Sequence, residues 1–364
     1  MLRSIHARAA LALLVMLLGG CATVRPLSYR DQVAGSWQFV VAGDSRNCGD
    51  VVMPAIAAAT RAHRASFYWH LGDLRAIYAI DEDYHRLHPS AAMNEYLSGA
   101  WDDFIQNQVD AFADTPFYLG IGNHETIAPK TREQFALSFA DWLDSPLIKR
   151  QRLLDDPHDH TIRPYYHWIQ NGVDFIYLDN ATPDQFDDMQ LAWLKRILLR
   201  DTADSAVRAI VVGMHEALPD SIASGHSMSD SPKSTEAGRA AYQMLLEARS
   251  ARPVYVLMSH SHFVMAGVFD TPYWREHGGV LPGWIVGTAG AVRYPLPPNA
   301  AAALYARTKV YGYLEATVSP PGTNPRDPVS FTFHEITEPE VPAEVSQRFG
   351  APFVHQCFAA NASF

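Results

Sequence analysis

The chain has few charged residues for its length, and those it has are scattered. Only 19% of its 364 residues are Asp, Glu, Lys or Arg, the formal net charge is −10, and no basic stripe is present. Because binding to a phosphate backbone requires clustered basic side chains, we expect no long nucleic acid as a partner. Internal repeats, low-complexity segments and a dividing linker are also missing, while 48% of the residues are hydrophobic. The sequence therefore predicts one large folded domain.

A long hydrophobic run is missing as well. The apolar segment 9–18 follows two arginines, is too short for a comfortable membrane-spanning helix and precedes small residues, as in a secretory signal peptide. The stretch Leu18-Gly19-Gly20-Cys21 resembles the lipobox of bacterial lipoproteins, which implies cleavage after residue 20 and lipidation of Cys21. Since Ala22 follows, the pattern favours the outer membrane. We expect a protein of the bacterial cell envelope, on the periplasmic or surface side, that contacts the membrane through Cys21. The alternative is an ordinary cleaved signal with a fortuitous cysteine.

Cysteines are scarce, with three in the whole chain. If Cys21 is lipidated, Cys48 and Cys357 remain in a compartment that permits disulfides. We predict that they pair, which would tie the first strand-to-helix turn to the carboxyl terminus. Two free buried cysteines are the alternative.

Short runs rich in Val, Ile, Phe and Tyr alternate with segments of helical spacing. The predicted buried strands are 38–43, 66–72, 116–122, 173–179, 209–213 and 253–259. The predicted helices are 51–64, 93–112, 132–143, 184–200 and 236–248. Such alternation predicts a layered α/β domain. Strands 283–288, 314–319 and 330–336 follow without long helices, and we expect them to form a second, antiparallel sheet.

These elements give a simple domain organisation. We predict a signal peptide at 1–20, a tether at 21–35, a catalytic domain at 36–337 and an irregular tail at 338–364. Segments 74–115, 144–170 and 217–233 interrupt the alternating pattern as long excursions. The last begins after a candidate metal ligand and either covers the site or is an ordinary solvent loop. His226 within it is a candidate substrate contact.

Polar side chains follow five of the predicted strands directly. The five motifs are Gly43-Asp44, Gly72-Asp73, Gly122-Asn123-His124-Glu125, Gly213-Met214-His215 and Ser259-His260-Ser261-His262. Each motif alone is more typical of a turn, a helix cap or a surface histidine. Ligands of open α/β sheets bind at the carboxyl ends of strands, so the shared placement of all five indicates one site.

Together the motifs resemble the signature of calcineurin-like metallophosphoesterases over about 220 residues. The resemblance implies a β-sandwich flanked by helices (α/β/β/α) with two divalent ions, of Mn, Fe or Zn type, at the strand ends. Carried over residue by residue, it makes Asp73 the bridging ligand. It assigns Asn123, His215 and His260 to one ion, and Asp44 and His262 to the other. His124 would be the general acid or a phosphate contact. The other histidines, including His63 and His334, match no motif.

The first motif departs from the family pattern of Asp-x-His. Here Asp44-Ser45-Arg46 puts a guanidinium where an imidazole ligand is expected, and a guanidinium cannot bind a cation. We therefore predict that Arg46 acts as a fixed positive charge on the substrate phosphate and that one of the two ions binds weakly. A structural ion pair from Arg46 to Asp44 or Asp73 is the alternative.

The resemblance implies a metal-dependent phosphoesterase acting outside the cytoplasm. Purple acid phosphatases have a Tyr where this chain has Ala76, and secreted 5'-nucleotidases carry a large second domain, so neither branch is expected. We favour a phosphomonoesterase acting on a small phosphate ester. A phosphodiesterase, or a non-catalytic envelope binding protein that keeps the fold, is the alternative.

Overall fold

Two β-sheets stacked face to face form the centre of the structure. The computed structural model describes residues 35–184 and 186–359, so the predicted signal peptide, Cys21 and most of the tether lie outside the described residues. The strands are β1 (Trp37–Ala42), β2 (Tyr68–His70), β3 (Phe117–Leu119), β4 (Tyr166–Gln170), β5 (Val173–Leu178), β6 (Ala209–Met214), β7 (Val254–Met258), β8 (Val264–Ala266), β9 (Gly283–Val286), β10 (Tyr305–Arg307), β11 (Tyr311–Val318) and β12 (Val329–Ile336).

Helices cover the outer faces of both sheets. They are α1 (Gly49–Ala62), α2 (Glu82–Leu87), α3 (Met93–Phe104), α4 (Arg132–Ser138), α5 (Ala140–Leu143), α6 (Pro146–Asp155), α7 (Asp188–Ala203), α8 (Pro232–Arg249), α9 (Pro272–Glu276), α10 (Ala343–Phe349) and α11 (Ala351–Ala359). Helix α1 packs against β11 and β12 of one sheet, whereas α8 packs against β7 of the other and against α7. The predicted layered α/β fold is confirmed.

Strand order places the carboxyl ends of the two parallel sets at one end of the sandwich. The first sheet has the order β12-β11-β1-β2-β3, in which β1, β2 and β3 are parallel. The second has the order β10-β8-β9-β7-β6-β5-β4, in which β5, β6, β7 and β9 are parallel. The loops that leave β1, β2, β3, β6 and β7 therefore meet at a shared edge, where ligands of such sheets bind.

Aromatic side chains fill the space between the sheets. Along β5, Phe175 and Tyr177 belong to the core shared with the first sheet, while Ile176 packs with the α7 and α8 side. This is the two-residue alternation expected of a strand buried on both faces. Phe39 meets Phe175 edge to face with ring centroids 5.1 Å apart. Such pairs add about 0.5–1.5 kcal/mol each beyond the area they bury, so the interface fixes how the two sets of strand ends face each other.

The late strands pair differently from the prediction. Strands β11 and β12 do not form a sheet of their own, because β11 pairs antiparallel with β1 and extends the first sheet. Strands β8, β9 and β10 join the second sheet instead. Local sequence pattern indicates that a strand exists but carries no information about its partner, which lies up to 281 residues away for Trp37 and Val318.

The segment after β12 is also more regular than predicted. The predicted irregular tail contains a 3₁₀ turn at Glu338–Glu340 followed by α10 and α11. Pro342 precedes α10 and Gly350 ends it after about two turns, and helices this short have little periodicity to detect. Val345 and Phe349 are buried in the core that α1 also enters, so tertiary packing stabilises the helices. Within the described residues, no helix is long and apolar enough to cross a bilayer.

The structure joins Cys48, at the start of α1, to Cys357 in α11 through a disulfide that spans 309 residues of sequence. We expect its loss, in the double variant Cys48→Ser/Cys357→Ser, to lower the free energy of unfolding by about 2 to 4 kcal/mol, with roughly 5 kcal/mol as the chain-entropy ceiling. Urea denaturation of the variant and of the unaltered protein measures the difference. Two free thiols titrating in the unfolded, unreduced, exported protein would contradict the pairing.

Candidate metal centre

The predicted ligand side chains come together where the strands end. Asp44 follows β1, Asp73 follows β2, His215 follows β6 and His260 follows β7, and all four are buried or nearly so. Asp44, Asp73 and His260 have φ angles of 61°, 61° and 65°. Non-glycine residues seldom adopt this left-handed conformation, and such strain clusters at functional sites. The strand-end turns therefore hold these three side chains in positions that ordinary turns would not give.

Glycines next to the ligands leave room for them. A Cβ on Gly122 would lie 2.3 Å from Asp73 Oδ1 and 2.9 Å from His215 Cε1. One on Gly287 would lie 2.7 Å from Asp44 Oδ2. Any side chain at either position would displace a carboxylate, so both glycines are required by close approach.

The first ligand group consists of Asp73, Asn123, His215 and His260. His215 Nδ1 lies 3.0 Å from the Leu71 carbonyl oxygen and 3.0 Å from Ser259 Oγ, so it carries a hydrogen, and Nε2 faces the site. Nε2 then lies 3.0 Å from Asn123 Oδ1, 3.1 Å from His260 Nδ1 and 3.2 Å from Asp73 Oδ1. Lone pairs that converge in this way require a cation between them, either a proton or a metal ion. An oxygen-and-imidazole donor set of this kind fits Mn, Fe or Zn.

The pKa values of the two imidazoles move in opposite directions. Burial lowers the pKa of His215, but the carboxylates of Asp73 and Asp44 outweigh it and raise it to about 10. Burial, and then the charge on His215, lower the pKa of His260 to about 3. His215 thus carries a positive charge at the centre of the group, while His260 stays neutral. A neutral imidazole is the form of His that binds a metal ion.

The second ligand group, Asp44, Asp73 and His262, already contains a cation. His262 Nδ1 donates to the Val292 carbonyl oxygen, which leaves Nε2 to accept from Arg46 Nη2 at 2.8 Å. Nε2 is also 3.2 Å from Asp44 Oδ1, and Arg46 Nε is 3.6 Å from Asp73 Oδ2. The guanidinium therefore lies among the atoms that the resemblance assigns to the second ion.

Burial by itself lowers the pKa of Arg46, but Asp73 and Asp44 more than compensate and raise it, so the group stays charged. Arg46 Nε, Asp44 Oδ1 and Asp73 Oδ2 make no hydrogen bond to any described residue. Both predicted roles of Arg46 thus have support in the geometry: it approaches Asp73 as an ion pair, and it retains a donor that can reach a ligand. The first ligand group fits a divalent ion better than the second does.

His124 lies beside both groups. Its Nδ1 donates to the Ala76 carbonyl oxygen at 2.6 Å, which directs Nε2 to within 3.5 Å of Asp73 Oδ2. Burial, the largest influence, lowers the pKa of His124. The exposed Tyr78 ring lies over it, with centroids 5.2 Å apart. The Ala76 carbonyl thus fixes the orientation of His124 beside Asp73.

Two residues that hold the site were not assigned from the sequence. Glu125 accepts hydrogen bonds from the backbone N–H groups of Gly122, Asp73 and Leu74 at 2.8 to 2.9 Å, which locks two ligand-bearing turns together. Asn180 Oδ1 accepts from the backbone of His215 at 3.1 Å. Glu125 directly follows two assigned residues, so the sequence could have indicated that it belongs to the site. No sequence pattern indicates this for Asn180.

A cleft of about 480 Å³ opens next to the ligands. It is lined by Ala223, Gly225, His226, Ser261, Phe263 and residues 294–299, among them three prolines. Tyr294 stacks on His262 with centroids 3.9 Å apart and on His226 at 5.0 Å. Segment 217–233 is therefore part of the wall of the site, with Ala217 and Leu218 fully buried.

Comparison with known proteins gives a fold and no close relative. No family profile matches the sequence, and no curated protein matches it. A purple acid phosphatase from yellow lupin (Lupinus luteus) seeds superimposes with a TM-score of 0.57 at 14% identity, covering 83% of this chain and 52% of that one. The structure of PhoD superimposes with a TM-score of 0.52 at 16% identity, covering 90% and 78%. The chain thus spans about half the length of the lupin protein, and likeness at such identities establishes the fold alone.

Proposed function

We propose that this chain is a metal-dependent hydrolase of small phosphate monoesters that works outside the cytoplasm, anchored to the bacterial envelope through Cys21. The observation that carries the proposal is the convergence of Asp73, Asn123, His215 and His260 on one point beside Arg46 and His124. The fold shared with the purple acid phosphatase from lupin supports it. The location rests on the N-terminal sequence.

The chemistry needs a water nucleophile, charge neutralisation and a proton donor. A divalent ion held by Asp73, Asn123, His215 and His260 would lower the pKa of bound water and neutralise phosphate charge. Arg46 brings a second, permanent positive charge with N–H donors matched to phosphate oxygens. In its doubly protonated form, His124 would give the Nε2 proton to the ester oxygen as the P–O bond breaks, which leaves a neutral imidazole whose Nδ1 hydrogen stays on the Ala76 carbonyl. Because burial lowers the pKa of His124, this acid form is gained as the pH falls.

The cleft favours an uncharged, largely apolar leaving group. Its proline-rich and aromatic lining offers contact area but little charge, and its size suits one small organic group. Long polyanions bind mainly through basic contacts, and a chain of net charge −10 lacks them. Small monoesters therefore fit better than nucleic acids or other extended diesters.

One observation favours a second candidate function. Because Arg46 stands among the ligands assigned to one ion, the chain also fits a non-catalytic envelope protein that binds phosphate groups without cleaving them. Such a protein would bind the same esters and leave them intact, so turnover separates the two functions.

The proposal is tested by metal analysis and turnover on the protein from residue 22 onward. We expect at least one Mn, Fe or Zn per chain and chelator-sensitive hydrolysis of p-nitrophenyl phosphate that exceeds hydrolysis of bis(p-nitrophenyl) phosphate. Metal-free protein that cleaves neither ester would refute the enzyme. Faster cleavage of the diester would move the assignment to a phosphodiesterase.

Arg46 makes a separate prediction about metal stoichiometry. We expect about one tightly bound ion per chain at the strand-end ligands of the unaltered protein and a second ion there in Arg46→His, because the substitution removes a competing charge and supplies an imidazole. Plasma mass spectrometry after gel filtration gives the count. Arg46→Gln is the matched control, since it removes the charge without adding a strong ligand and should gain little. A count in Arg46→His that equals the count in the unaltered protein would contradict the prediction.

A further inference from the structure

Three metal-ligating side chains meet at a second place, on the helix-covered face of the first sheet. His63 follows the last residue of α1, Glu315 lies in β11 and His334 lies in β12. Tyr313 is the register partner of His334, so Glu315 is two residues beyond that pair and on the same face of the sheet. The cluster thus draws on one helix end and two adjacent strands.

This cluster is separate from the strand-end site. Val40 pairs with Glu315, and Asp44 comes four residues later in the chain, beyond the end of β1. At the rise of an extended chain, four residues span roughly 13 Å. No member of the cluster contacts the ligand groups described above among the interactions of the described residues.

The three side chains converge on one atom. Glu315 Oε2 lies 3.0 Å from His63 Nδ1 and 2.9 Å from His334 Nε2. Two imidazole nitrogens and one carboxylate oxygen form the donor set of many zinc sites with an open fourth position. Their side chains are 30%, 34% and 11% exposed, for His63, His334 and Glu315 in turn, so an ion could enter and keep a water ligand.

The atoms that face away from this point are held as well. His63 Nε2 lies 3.0 Å from Tyr313 Oη, and Gln38 Nε2 donates to Glu315 Oε1. The His334 ring stacks on Tyr313 with centroids 5.3 Å apart. Ligands in metal sites are oriented by contacts of this kind to their outward-facing atoms, and removing them usually weakens the site.

We propose that His63, Glu315 and His334 bind a divalent ion of the zinc class, separate from the strand-end ion. Binding leaves one hydrogen on each imidazole. The hydrogen on His63 Nδ1 moves to Nε2, where it donates to Tyr313 Oη, and the hydrogen on His334 Nε2 moves to Nδ1. The bound ion joins the end of α1 to β11 and β12. It therefore stabilises the same helix that the Cys48 disulfide holds at its other end.

The test uses a background that lacks both histidines of the first strand-end ligand group. In the double variant His215→Ala/His260→Ala, we expect about one Zn²⁺ per chain to remain after incubation with zinc chloride and gel filtration. Adding His63→Ala and His334→Ala should reduce that zinc at least tenfold. Adding His277→Ala, which removes an exposed histidine elsewhere, should leave it unchanged. Zinc should also raise the melting temperature of the background variant by about 2 °C or more, since ligand binding to the folded state alone stabilises it.

Zinc that persists without His63 and His334, or a background variant that binds none, would overturn the proposal. If the background fails to fold, the same pair of substitutions in the unaltered protein should lower the zinc count by one while circular dichroism shows that the variant is folded. An unchanged count there would overturn it equally. Because these measurements count ions and not turnover, they stand apart from the proposed hydrolase activity.

Discussion

His215→Ala is expected to remove the strand-end metal ion and to lower turnover of p-nitrophenyl phosphate by roughly 10³-fold or more, since a bound ion supplies several kcal/mol of transition-state stabilisation. His215 Nε2 lies within 3.2 Å of three other ligand atoms, and alanine leaves no atom to take its place. His260→Ala should have the same effect, because its Nδ1 faces the same point. Metal content by plasma mass spectrometry and turnover are measured on the same samples.

His277→Ala serves as the matched control, because that histidine is exposed and outside the site. It should keep both the ion and the activity. Circular dichroism checks that His215→Ala is folded, since the Leu71 carbonyl and Ser259 lose a partner in the variant. A folded His215→Ala protein with full metal content and near-native turnover would show that the strand-end ligands are misassigned.

His124→Ala is expected to spare the metal and lower the rate by roughly 10² to 10⁴, the usual scale of general acid assistance. The loss should shrink as the leaving group improves, because a stable phenolate departs without a proton. A series of substituted aryl phosphates measures this: the unaltered protein should show a weak dependence of rate on leaving-group pKa, and the variant a steep one.

Tyr78→Phe provides the comparison for that series. The Tyr78 ring packs against His124 at a tilt, but its hydroxyl has no assigned role. The Tyr78→Phe variant should therefore keep the weak dependence of rate on leaving-group pKa. An equal loss for good and poor leaving groups in His124→Ala would mean that His124 contacts the phosphate instead of protonating the ester oxygen. Loss of the metal ion in His124→Ala would indicate that His124 is a metal ligand.

The strand ends were predictable because both the strands and their terminal residues leave local marks. Asp44 and Asp73 each follow a glycine and an apolar run, and the structure places each within two or three residues of the end of its strand. Which sheet a strand joins was not predictable, as β11 shows by pairing with β1 at the opposite end of the chain. Three-residue strands such as β8 are too short to show a period.

In the site, too, some features could be predicted from the local sequence and others could not. The sequence indicated that Arg46 replaces an expected ligand, but its contact with His262 depends on a turn 216 residues away. The hydrogen bond that Asn180 accepts from the His215 backbone could not be predicted either, because an asparagine after a strand has many ordinary uses. Ligand types are therefore readable from sequence, whereas the contacts that orient them are products of tertiary structure.

Helix α11 supports the candidate site through contacts that it makes outside the ligand groups. Arg293 Nη2 donates to the carbonyl oxygens of Cys357 and Phe358, and the next residue in sequence is Tyr294, which stacks on His262. Cys357 also holds Cys48, two residues from Arg46. The contacts that steady both walls of the site thus come from α11, which follows every assigned ligand in the sequence. A chain truncated before α11 would carry every assigned ligand yet lack these supports for Arg46 and Tyr294, so we expect the truncation to disturb the site without removing a ligand.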